Sequence, residues 1–129
     1  MELPVHILHI LNESQTTKIL GVLGPGGNIE LTPYAIIKAP KPDLILLPQN
    51  TQKGILDALT DAMKRGQQVS MLCSDALHGG GRSYVITCAV REYQSAGPLY
   101  EKFVDELRAT YASLQGVWIL EPLSFKEVN

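Results

Sequence analysis

Thr51, Gln52 and Lys53 bring a hydroxyl, an amide and an ammonium group into one short turn. They follow an apolar run, Leu44 to Leu47, and a polar turn, Pro48 to Gln52; Lys53 stands where the turn becomes a helix. Asn50 or Thr51 can cap that helix by accepting a hydrogen bond from a free backbone N–H. The remaining free N–H groups and the positive end of the helix dipole make such a turn an anion seat. This set of donors suits a phosphate. Local sequence alone favours an ordinary strand-to-helix connection with a solvated lysine, since most capped helices bind nothing.

The other chemistry-bearing residues are sparse. His6 and His9 stand three apart in an N-terminal helical segment, without the carboxylate or cysteine that would complete a metal site. His78 lies in a Gly-rich stretch, Asp75 to Gly81, where solvation is its ordinary fate. No Ser/His/Asp arrangement, H-E-x-x-H or GxGxxG occurs, and Gly79-Gly80-Gly81 lacks the frame of a P-loop. Asp57 with Asp61, and Asp105 with Glu106, read as solvated helix faces. No metal site and no catalytic residue can be named. If the protein is an enzyme, a bound cofactor supplies the difficult chemistry, and the chain supplies position and electrostatics.

The elements that must hold these groups fit one domain spanning residues 1–129. Its apolar fraction is 45% and its charged fraction 19%, as in an ordinary globular protein. A net charge of −2, with the basic residues scattered, gives no case for nucleic acid or an anionic membrane. No apolar run approaches the roughly 20 residues of a membrane span. The N-terminal stretch lacks the marks of a secretory signal, so a cytoplasmic location is the default expectation. Cys73 and Cys88 lie in apolar strand segments without C-x-x-C spacing and read as buried free thiols.

In order, the pattern predicts a short helix from about Leu3 to Asn12, with Pro4 in its first turn. Ser14 to Lys18 reads as a polar break. Ile19 to Leu23 and Ile29 to Ala39 read as a hairpin around Gly24 to Asn28. After the strand Leu44 to Leu47, Ile55, Leu56, Leu59 and Met63 form one apolar helix face ending at Gly66. Gln68 to Ser74 and Tyr84 to Glu92 follow as strands by period two. Pro98 opens a helix with a stripe of Leu99, Phe103, Leu107 and Tyr111. Val117 to Glu121 is the last strand, continuing after a bend at Pro122, since proline is confined to edges and bulges. About six strands and three helices result, mainly β, as an antiparallel barrel with helices packed outside.

Four segments, ILGVLGPGGNIELTPYAIIKA, LILLPQNTQKGILDALTDAMKRGQQVSMLCSD, GRSYVITCAVREY and SAGPLYEKFVDELR, stand in that order. Together they resemble the pyridoxamine 5′-phosphate oxidase-like, FMN-binding split β-barrel family, and most nearly its small stand-alone FMN-binding members. The likeness runs from about Thr17 to Glu121, through order, spacing and loop types rather than one decisive motif. It implies a six-stranded antiparallel split β-barrel (α+β, mainly β) with flanking helices.

The resemblance also implies a cofactor and its seat. FMN phosphate would meet Thr51, Gln52 and Lys53. Thr32, Pro33, Tyr34 and Ala35 would lie along the flavin and ribityl chain, with Leu47, Pro48 and Gln49 on the other side. Members of the family are usually homodimers with FMN at the interface, which would bring Arg82 and Ser83 towards the flavin of the other subunit. Trp118 is a weaker candidate for that role, and core or dimer packing suits it better.

Departures narrow the activity. The arginine-x-histidine substrate motif of true pyridoxamine phosphate oxidases has no counterpart in the tail EPLSFKEVN. Their arginine-lysine pair at the phosphate is reduced to Gln52-Lys53. Lys38 falls where those enzymes place a substrate-phosphate lysine, which is thin support for vitamin B6 oxidation. The expectation is an FMN-dependent oxidoreductase or flavin reductase acting with a small-molecule or redox partner. A non-catalytic FMN-binding electron carrier or flavin store, or a relative binding deazaflavin or haem, is the alternative.

Overall fold

The computed structural model describes residues 1–50, 53–75, 81–107 and 114–128. The order is α1 (Val5–Asn12), β1 (Thr17–Leu23), β2 (Ile29–Pro33), β3 (Lys38–Lys41), β4 (Leu44–Gln49), α2 (Lys53–Arg65), β5 (Gln68–Ser74), β6 (Ser83–Gln94), α3 (Pro98–Leu107) and β7 (Gly116–Val128). The seven strands form one antiparallel sheet in the order β2-β1-β5-β6-β7-β4-β3.

The expected strand Ile29 to Ala39 is two strands, which makes seven rather than six. Pro33 has no N–H to donate, and the chain leaves the ladder there. The Tyr34 N–H instead bonds the Lys18 carbonyl at 2.8 Å, and pairing resumes at Lys38 against Leu46. The break explains the curvature. β2 and β3 are the two edges of the sheet, yet only residues 34–37 join them. Six spacings of about 4.8 Å would hold the edges of a flat sheet roughly 29 Å apart. A segment from Pro33 to Lys38 reaches about 18 Å at most. The sheet must therefore roll until its edges approach, with a gap between β2 and β3 that no ladder closes.

Two clusters bury the apolar residues. Ile7, Ile10 and Leu11 of α1, and Ile55, Ala58, Leu59 and Ala62 of α2, join Leu20, Ile45, Leu47, Met71, Ile86 and Leu120 in the larger one. Leu46 and Val117, on the opposite faces of β4 and β7, pack with Phe103 and Leu107 of α3 in the smaller. Burying both faces of β4 accounts for its unbroken apolar run. The glycine closing α2 is as expected: Gly66 has φ +65°, its N–H bonds the Met63 carbonyl at 3.3 Å, and the Gln67 N–H bonds the Ala62 carbonyl at 2.8 Å. This is a Schellman cap. β7 runs through Pro122 by a bulge, since Thr87 pairs with Ser124 but Cys88 with Pro122. Cys73 and Cys88 are buried free thiols. His78 and Tyr111 lie outside the described residues.

Lys18 departs from the sequence reading. It belongs to β1 rather than to a polar break, and it is 1% exposed. Its ammonium donates to the Glu13 carbonyl and, at 2.9 Å, to Thr16 Oγ1. Thr16 Oγ1 donates in turn to the Ile10 and Glu13 carbonyls, so the pair ties the end of α1 to β1. Burial pushes the Lys18 ammonium below its ordinary range, partly offset by Cys73 and Glu13.

Candidate functional site

The end of β2 and the end of β4 meet at one cavity of about 200 Å³, lined by Thr32, Pro33, Tyr34, Ala35, Pro48, Asn50 and Ile55. Proline at the last position of β2 ends the ladder, so the following residues turn towards β4 instead of extending the edge. Thr32 and Tyr34 are buried, and Pro33 and Ala35 exposed. The Tyr34 N–H is taken by the Lys18 carbonyl, which leaves the Ala35 N–H without a backbone partner among the described residues. All four residues expected beside a flavin therefore share one wall.

β4 supplies the facing wall by alternation. Pro48 lines the cavity, whereas Leu47 is fully buried in the larger core. Gln49 is 1% exposed and faces inward. Its Oε1 accepts a hydrogen bond from Trp118 Nε1 at 2.9 Å, and its Nε2 donates to the Asn50 carbonyl at 2.9 Å. Its own carbonyl accepts the Gln115 N–H at 2.8 Å. Leu47 and Gln49 thus fix the turn, and Pro48 and Asn50 face the cavity. Sequence reading missed the hydrogen bond between Gln49 and Trp118, which depends on the pairing of β4 with β7 and has no local signal.

Lys53 is the first residue of α2, two residues before cavity-lining Ile55, and its side chain is exposed and not part of the cavity lining. The first turn of α2 carries no acidic residue to neutralise the helix dipole. Thr51 and Gln52 lie outside the described residues. The arrangement can present Lys53 and the helix N–H groups to an anion whose remainder lies along Thr32 to Ala35.

Arg82 and Ser83 lie elsewhere in the subunit. Arg82 borders a cleft with His6, Ile10, Asp75, Gly81 and Tyr84. Its guanidinium lies 3.6 Å from Glu127, and its N–H donates to Asp75 Oδ1 at 2.5 Å. A hydrogen bond with Tyr84, then the Glu127 carboxylate, holds its pKa above the ordinary value. Ser83 Oγ shares a hydrogen bond with Ser74 Oγ at 2.7 Å. Neither residue lines the β2–β4 cavity within one chain. Trp118 is 1% exposed, with its ring 4.5 Å from that of Tyr93, so it packs in the core. No group of three or more metal-ligating side chains occurs among the described residues, and none of their helices is long and apolar enough to cross a membrane.

No protein-family model matches the sequence, and no curated protein matches it. Solved structures do resemble it. HupZ from Group A Streptococcus superposes with a TM-score of 0.77 at 13% identity, over 98% of this chain and 94% of that one. An FMN-binding protein from Syntrophomonas wolfei gives 0.71 at 11% identity, over 96% and 87%. An F420 reductase gives 0.70 at 14% identity, over 96% and 98%. Identities this low speak to the fold alone, and the agreement extends over nearly the whole of each chain. The chain has the split-barrel fold of the pyridoxamine 5′-phosphate oxidase-like proteins.

Proposed function

We propose that the protein binds FMN in the cavity between β2 and β4 and acts as an FMN-dependent oxidoreductase or flavin reductase. The observation that carries this reading is the convergence of Thr32, Pro33, Tyr34 and Ala35 with Pro48 and Asn50 around one cavity at the start of α2. Lys53 and the amino end of α2 hold the phosphate, with Thr51 and Gln52 just before them in sequence. The Thr32 hydroxyl and the Ala35 N–H offer hydrogen bonds along the ribityl chain and ring. A flavin so bound supplies hydride and single-electron chemistry; the chain's own part is to hold and orient it.

Size bears on assembly. The cavity of about 200 Å³ is smaller than the roughly 300–1,000 Å³ of pockets that enclose drug-sized ligands. One subunit therefore encloses only part of a flavin nucleotide, and a homodimer with FMN at the interface supplies the rest. In that dimer Arg82 and Ser83 reach the flavin of the other subunit. Its place of action is the cytoplasm.

A second reading is favoured by one observation. Among the described residues, Tyr34 is the one titratable residue that lines the cavity. A flavoprotein that carries electrons without turning over a substrate needs no acid or base there. The absorption spectrum of the purified protein tests the cofactor: flavin bands support FMN, whereas a haem or deazaflavin spectrum, or none, overturns it. Turnover of NAD(P)H by the yellow protein separates enzyme from carrier.

A further inference from the structure

A second cavity, of about 370 Å³, lies under α3 and shares no residue with the β2–β4 cavity. Its floor is apolar: Ala39 of β3, Leu46 of β4, and Leu99 and Phe103 of α3. Ala39, Leu46 and Phe103 are each at most 5% exposed, so the floor is a fixed part of the fold. The β3 side is held by Asn12, whose Oδ1 accepts the Ala39 N–H at 2.8 Å and whose Nδ2 donates to the Ala39 carbonyl at 3.2 Å. The edge strand is thereby satisfied by one side chain, and its backbone is not available to pair with another strand at Ala39.

Charge decides what such a cavity takes. Lys38 of β3 and Lys102 of α3 stand on opposite walls, with Glu106 one turn beyond Lys102. The ammonium group of neither lysine has an ion pair or hydrogen bond among the described residues, and Lys102 and Glu106 form no salt bridge despite their helical spacing. Two ammonium groups against one carboxylate leave the rim with one net positive charge. That balance favours a single negative charge over a phosphate dianion, which Glu106 would repel. An apolar floor beneath such a rim matches a molecule with a hydrophobic body and one carboxylate. The volume lies near the lower end of ligand pockets, enough for a bicyclic ring or a short acyl chain and too small for a whole flavin nucleotide.

We propose that the cavity between β3 and α3 is a binding site for a small apolar monocarboxylate, seated on Leu46, Leu99 and Phe103 and paired at the rim with Lys38 and Lys102. The site is independent of flavin binding: it needs neither the β2–β4 cavity nor a partner subunit.

Titration of the full chain with naphthoate, followed by calorimetry and by NMR shifts of the Leu46 and Leu99 methyl groups, tests this. Naphthoate is expected to bind about tenfold more tightly than the uncharged naphthamide, as one recovered charge pair at a partly desolvated rim provides. Lys102→Glu, on an exposed helix position, is expected to remove that preference while leaving FMN uptake unchanged. Leu99→Trp is expected to abolish binding of both compounds by filling the cavity. Equal affinities for the two compounds, a preference surviving Lys102→Glu, shifts confined to other methyl groups, or no binding at millimolar naphthoate would each overturn the proposal.

Discussion

Trp118 Nε1 donates a 2.9 Å hydrogen bond to Gln49 Oε1, although the two residues lie 69 positions apart. Both side chains are 1% exposed, so water cannot substitute for either partner. The bond crosses the β4–β7 ladder, where Leu47 pairs with Trp118 and Gln49 with Gly116. Through Gln49 Nε2 it also reaches the Asn50 carbonyl, and so sets the turn at the rim of the β2–β4 cavity.

Trp118→Phe deletes this donor and removes part of the buried indole. Losing this buried hydrogen bond together with part of the indole's packing is expected to cost about 1–3 kcal/mol of folding stability. Urea denaturation measures it. A loss confined to stability, with FMN affinity intact, would mean that the turn does not depend on the bond.

Lys53→Ala removes an exposed side chain, so folding is expected to be unchanged. FMN affinity is expected to fall by about 1.5–3 kcal/mol, the size of a charged hydrogen bond. Fluorescence titration measures it, and an unaltered dissociation constant removes Lys53 from the phosphate.

Alkaline stability follows from the two thiols. Burial pushes Cys73 and Cys88 up from 9.0 to about 12. The unfolded chain ionises these thiols first, so stability is full below about pH 9 and falls by about 1.4 kcal/mol per pH unit per thiol up to about pH 12. Lys18 acts oppositely. Its folded pKa lies below 10.5, so the unfolded chain holds the proton longer and stability rises with pH in that window. Urea midpoints measured from about pH 8 to 11 are expected to fall less steeply in Cys88→Ala and more steeply in Lys18→Met. Parallel curves for all three proteins would contradict the assignment.

Asn12→Ala leaves the Ala39 N–H and carbonyl without their side-chain partner. The expected cost is about 1–2 kcal/mol, with faster amide hydrogen exchange confined to β3. Exchange that accelerates equally in β6 would show global rather than local loosening.

Much of the fold was legible in the sequence because its signals are local. The stripe of α2 with Gly66, Pro98 at the start of α3, and the bulge at Pro122 all follow from backbone chemistry. The split of the strand Ile29 to Ala39 was harder. Its residues are β-prone almost throughout, and only Pro33, with no N–H to give to the ladder, marks the break locally. Lys18 was misread because a lysine signals solvent, whereas here Thr16 and the Glu13 carbonyl satisfy its ammonium. At the candidate site, Thr32 to Ala35 and Pro48 line one cavity, and the hairpin and the strand-to-helix connection that carry them are local motifs. Core packing of Trp118 was expected, whereas the inward roles of Leu47 and Gln49 depend on register between distant strands, which no local pattern states.

Equilibrium titration with FMN of the wild-type chain and of Ala35→Trp, an exposed position on the cavity wall, tests the central claim most directly. The wild type is expected to quench flavin fluorescence at a saturable site. Ala35→Trp, with an unchanged circular dichroism spectrum, is expected to bind at least about tenfold more weakly. A wild-type protein that takes up no FMN, or a variant that binds it equally well, would contradict a flavin seat between β2 and β4.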